Sequence, residues 1–158
     1  MEFSRGWDPA AWIRIDPATL PPMLLAWDER AAKSSDQVHR DVRQDFENGA
    51  PEVVEAMHHF AALAAAGRRA LDSGTADIVW PDLLHESHRL RSTLFEISPR
   101  DKTMVALANV HGAAGAFAGS GGAIVVLPRA QTDVDALVAD LGANGISTVR
   151  PTIAPVLD

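Results

Sequence analysis

With 158 residues, 47% of them hydrophobic and 22% charged, the chain has the material for one globular domain with a real core. Its formal charge of −7 excludes the concentrated basic face that a nucleic acid or an anionic membrane surface requires. The absence of cysteine excludes a disulfide framework and a thiol nucleophile, and it fits a cytoplasmic protein.

In chain order, residues 1–15 lack the apolar run of a secretory signal. Residues 1–22, with Pro9, Pro17, Pro21 and Pro22, read as an extended lead-in segment of the kind that links domains, and Trp7 and Trp12 on it are expected to pack back. The domain proper is expected over 23–158, opening with a short apolar strand at 23–27. Ser35 or Asp36 then caps a helix that places Val38, Val42 and Phe46 on one face and ends at Asn48-Gly49. Pro51 suits the first position of a second helix, whose stripe runs through Val53, Met57, Phe60, Ala64, Gly67 and Leu71 to Ser73-Gly74. A third helix is expected over 81–95, and a fourth from Ser98-Pro99 and Asp101 through Met104, Val105 and Ala108 to Gly112.

Two strands flank a GSGG turn after that, followed by a helix at 132–141 stopped by Gly142 and a last strand near 146–153. The order β, four helices, β, β, α, β predicts an expanded ferredoxin-like α+β sandwich, a four-stranded antiparallel sheet with helices packed on one face. The longest run without an ionisable side chain, histidine included, is 112–128, which falls short of the roughly 20 residues of a membrane helix and is crowded with glycine.

That run, GAAGAFAGSGGAIVVLP, is the most distinctive stretch of the chain. Gly119, Gly121 and Gly122 admit positive φ and bare their N–H groups, the usual device where main chain crowds a phosphate, a ligand or another segment. Spacing excludes both a Walker loop and a dinucleotide fingerprint, because GSGG precedes its strand and position 124 is Ile. Two readings stay open: a backbone cradle for a ligand, and a tight hairpin turn packed on the core. His85 and His88 in HESH stand at i and i+3, not the i and i+4 of a zinc-protease helix, and read as partly exposed helix histidines. His58 and His59 are adjacent and diverge by about 100° on a helix. In HRDVR, the His39, Asp41 and Arg43 side chains near a helix start suit a sugar hydroxyl or carboxylate, or else form a solvated charged face.

Six segments taken in order, RIDPATLPPMLLAW, VHRDVR, GRRAL, LRSTLF, GAAGAFAGSGGAIVVL and STVRPTIAP, resemble the GHMP kinases. The likeness is to the GAxxKFxGSGGAVV form of sugar and sugar-acid kinases such as glucuronokinase, and it spans only that family's C-terminal half. It implies the GHMP C-terminal fold in an ATP-dependent phosphotransferase, with Gly119, Ser120, Gly121 and Gly122 as cofactor-binding residues. It also implies His39, Asp41, Arg43 and Arg91 as substrate-binding residues. In that family the ATP motif PxxxGLGSSAA, the catalytic Asp or Lys and the Mg²⁺ ligands lie in the N-terminal half, and nothing here matches them. ATP and Mg²⁺ are therefore expected only with a separate N-terminal half, and the chain alone is expected to be inactive. Its expected partners are that half or a second copy, with a sugar or sugar acid as ligand.

The chain departs from the family pattern at Ala116, where Lys is usual, and at HESHRLRS, where NRNFDLRR is usual. His85 and Ser87 thus replace asparagines, and Arg89 replaces an aspartate. The alternative is a non-catalytic module that kept the fold and binds a small molecule or a protein.

Overall fold

The computed structural model describes residues 15–31, 36–119 and 121–153, with backbone alone over 36–41. After a 3₁₀ turn at Pro17–Thr19, strand β1 spans Leu24–Trp27 and a second 3₁₀ turn spans Glu29–Ala31. Four helices follow, α1 (Asp36–Glu47), α2 (Pro51–Asp72), α3 (Ala76–Leu94) and α4 (Pro99–Val110). Strands β2 (Ala114–Phe117) and β3 (Ala123–Leu127), helix α5 (Val134–Ala143) and strand β4 (Ser147–Val149) complete the order.

Local chemistry accounts for most of the boundaries. The Ser98 hydroxyl accepts the Asp101 N–H at 3.1 Å and Pro99 supplies a preset φ, so α4 starts where the sequence places it. Two helix boundaries differ from the expectation. Helix α3 begins at Ala76, leaving Pro81 inside it; the Trp80 indole donates to the Gly67 carbonyl of α2 at 2.9 Å and anchors the turn that precedes the proline. Helix α5 runs through Gly142 because Asp133 caps it and the reversal comes at Gly145, whose φ of 71° is left-handed. Strand β4 is also shorter than expected.

The strands lie in the order β2-β3-β1-β4, every neighbour antiparallel, with Ala26 opposite both Ile124 and Thr148 and with Phe117 also opposite Ile124. This is the ferredoxin-like order, with helices inserted between β1 and β2. Alternation along the strands turns Leu24, Ala26, Ile124 and Val126 into the core, while Leu25, Trp27 and Val125 on the opposite face are half-buried. Met104, Val105 and Ala108 of α4 and Leu137 and Leu141 of α5 complete the cluster. Helix α4 also lies close on β2: a Cβ added at Gly115 would stand 3.2 Å from the Ala108 Cβ. Helix α3 packs on β2, α2 on α3, and α1 on α2, so the helical layers build outward from one edge strand.

Met104 is fully buried, and Met104→Ala should lower stability by about 2–5 kcal/mol in urea titration with an unchanged slope. Val110, 80% exposed on the same helix, supplies the control, where Ala should shift stability by less than about 0.5 kcal/mol.

Candidate functional site

The glycine turn is built against the first turn of α4. Asp101, 4% exposed, accepts the Gly122 N–H on Oδ1 at 2.8 Å and the Ser98 hydroxyl on Oδ2 at 2.7 Å. Gly121 has φ of 132°, and a Cβ added there would stand 3.0 Å from Asp101 Oδ2, so a side chain is opposed by backbone and by space. On the other flank the Gly122 carbonyl accepts the Asp28 N–H at 2.9 Å, joining the turn to the end of β1.

The buried carboxylate of Asp28 receives Arg30 Nε at 2.9 Å and Nη2 at 3.0 Å, and also Arg100 Nε. Arg30 reaches onward to the Gly145 carbonyl at 3.3 Å, and both arginines reach the Asn144 carbonyl. Hydrogen bonds from Arg30, reinforced by Arg100 against the opposing effect of burial, hold the Asp28 carboxyl well below the usual carboxylate range.

Arg91 on α3 closes the turn from outside the sheet edge. Its Nη2 donates to the Gly119 carbonyl at 2.6 Å, and its guanidinium carbon rests 5.6 Å from the Phe95 ring centre and 5.7 Å from that of Phe117. Burial lowers its pKa. The His88 ring meets Phe117 edge-on at 5.1 Å, and its Nδ1 is buried with no hydrogen-bond partner among the described residues. Burial first, then the positive charges of His85 and Arg91, push the His88 pKa down and favour neutral imidazole.

Of the residues singled out in the sequence, Gly119, Gly121, Gly122 and Arg91 come together here, while Ser120 lies outside the described residues. The side chains of His39 and Asp41 also lie outside the description. Arg43 is exposed and pairs with Glu47 on its own helix at 2.9 Å. Among the described residues, no three His, Asp or Glu side chains are grouped to hold a metal ion, and no helix is long and apolar enough to cross a membrane. Ala116, 6% exposed, faces Val125 in the sheet. The turn thus lacks a lysine, has the Gly122 N–H already committed, and has a carboxylate behind it. It is a poor phosphate cradle unaided.

Reading the sequence found Asp101 only as a helix-start residue and missed the set formed by Asp28, Arg30 and Arg100. The available signal was an acidic residue in the first turn of a helix that leads into a glycine-rich hairpin.

No protein-family model matches the chain. It is similar to the L. major mevalonate kinase solved with R-mevalonate (TM-score 0.69, 21% identity, 84% of this chain and 44% of that one). It is also similar to the Lin0012 protein of Listeria innocua (TM-score 0.72, 14% identity, 82% and 38%). These likenesses show the fold, an α+β domain present in both of those proteins. Among curated proteins it is 31% identical over 146 residues to Glucuronokinase 1 of Arabidopsis thaliana, covering 89% of this chain and 40% of that protein. It is likewise 31% identical over 145 residues to Probable glucuronokinase 2 of the same plant, covering 89% and 39%. The chain spans about two fifths of the length of the curated relatives it matches. Taken together, the sequence likeness and the shared fold support a C-terminal domain of the GHMP kinase type.

Replacing Asp101 by Ala should cost about 1–3 kcal/mol, since it leaves the buried Gly122 N–H without an acceptor, and should speed hydrogen exchange at that amide. Asp101→Asn, which keeps an oxygen for Gly122, should lose less on both measures.

Two of the lowered pKa values, those of His88 and Asp28, shape the acid limb of stability. As pH falls through about 6.5, unfolded His88 binds a proton before the folded residue does, so stability is full above that pH and declines below it. Asp28 contributes stability that is full above about 3.9 and is lost as pH falls further. Thermal midpoints measured from pH 8 to pH 3 should therefore fall in two stages, and His88→Leu should remove the upper one.

Proposed function

We propose that this chain supplies the C-terminal half of a GHMP-type sugar or sugar-acid kinase, and that an ATP-binding half, together with ATP and Mg²⁺, is needed for phosphoryl transfer. The observation that carries this reading is the glucuronokinase likeness running through almost the whole chain while the 158 residues contain no PxxxGLGSSAA segment. Phosphoryl transfer depends on positioning and on neutralising phosphate charge with metal and basic groups. The glycine turn offers closely approaching backbone for such a site, and Asp101 holds that backbone in place. The metal and the base are assigned to the other half. Glucuronate, named in the relatives, is the first substrate to try, in the cytoplasm as the compartment of the reaction.

A second reading, a binding module that kept the fold without catalysis, is favoured by one observation. Ala116 is buried where the family pattern carries a lysine, so that particular cation is absent.

The test incubates the purified chain with ATP, Mg²⁺ and glucuronate, alone and with the part of Arabidopsis Glucuronokinase 1 that lies outside the matched segment. No glucuronate-dependent ADP release by the chain alone and release with both parts is the expected result. Transfer by the chain alone would sink the half-kinase reading, and association without transfer in any mixture would favour the binding module. Gly119→Trp probes the joint, because a Cβ there meets nothing within 4 Å, whereas Gly121 is backed by Asp101. This variant should melt like the parent and associate more weakly in light scattering.

A further inference from the structure

Seven arginines, Arg30 and Arg150 among them, lie within ion-pair distance of a carboxylate. Of the arginines whose side chains are described, Arg69 and Arg91 have no such partner. Arg69 stands exposed in the last turn of α2, where water and the helix carbonyls accommodate its charge. Arg91 is different. It is half-buried on two aromatic rings, and the acidic group that supports the turn, Asp101, is occupied by Gly122 and Ser98.

We propose that Arg91 is the receptor for an anionic oxygen group, a carboxylate or a phosphate, on the molecule this domain binds at its glycine turn. A guanidinium taken partly out of water loses hydration that ring faces and one carbonyl restore only in part. It carries five N–H donors in a planar fork, and the Gly119 carbonyl accepts one at 2.6 Å. The rest of the fork matches two oxygens of a carboxylate or phosphate, which would supply the missing counter-charge by paired hydrogen bonds. Space is present beside it: the Gly119 carbonyl fixes the fork at a glycine where an added Cβ would meet nothing within 4 Å among the described residues. Phe95 and Phe117 hold the guanidinium against swinging away, so the fork is arranged before a ligand arrives.

This inference rests on the kinase reading only for the identity of the ligand, where the two sources are the carboxylate of a sugar acid and the phosphates of a nucleotide. The experiment titrates the chain alone with glucuronate, with glucose and with inorganic phosphate. It follows the Gly119 and Gly121 amides and the Arg91 Nε–H by ¹H–¹⁵N correlation spectra. Saturable shifts with glucuronate and not with glucose are expected, weakened about tenfold or more in Arg91→Gln and incompletely restored in Arg91→Lys, which keeps the charge and lacks the fork. Saturation by glucuronate and not phosphate identifies the carboxylate source, and the converse identifies the phosphate source; either supports the receptor. Equal binding of glucose and glucuronate, unchanged binding in Arg91→Gln, or no saturation by either anion overturns it. Should Arg91→Gln fail to fold, Arg91→Lys carries the comparison. Because no ATP-binding half is present, failure here leaves the half-kinase reading standing, and failure of transfer leaves this result unaffected.

Discussion

One buried carboxylate sets the geometry on which the candidate site depends. Asp101 links the first turn of α4 to the backbone of Gly122, and α4 is in turn fixed to the sheet by Met104, Val105 and Ala108. The turn between β2 and β3 is therefore held by the core and not merely by its own hairpin. That support explains why the position next to it is glycine: the Asp101 oxygen occupies the volume a side chain would need, and the backbone there has a φ that side chains disfavour. The backbone at Gly121 and Gly122, which would otherwise sample many shapes, is given one.

The arrangement sorts charge by function. Asp28, with two arginines around it, serves the frame, since the same two arginines also donate to backbone carbonyls of the loop between α5 and β4. Arg91 serves the open side of the turn. Its contacts are a carbonyl and two rings, which orient a guanidinium without neutralising it. On the half-kinase reading proposed above, rigid backbone at the turn and a cation beside it would divide support from binding.

Much of the fold was legible because local signals and global packing agree. Pro51 and Ser98-Pro99 start helices where they stand, and the alternation of Leu24 with Ala26 and of Ile124 with Val126 is what a sheet covered on one face requires. Pro81 misled, since proline usually opens a helix; here the Trp80 bond to α2 stabilises the preceding turn, an interaction between residues far apart in sequence. Within the site, glycine spacing and the place of Arg91 in LRSTLF were readable as a family resemblance. The bonds made by Asp101 and Asp28 were not, because each joins the tips of separate elements and leaves no periodic trace.

The sequence distances of those bonds carry a consequence for assembly. Asp101 reaches Gly122 across 21 residues, Arg100 reaches Asp28 across 72, and Arg30 reaches Gly145 across 115. By contrast α2 and α3 are neighbours in sequence and pack on one another, a contact of low loop-closure cost. During synthesis the helical hairpin has its partners early, while the frame around the glycine turn stays open until the chain has grown past Gly145. The frame behind the candidate site is thus closed late in synthesis, by residues that lie just before the last strand.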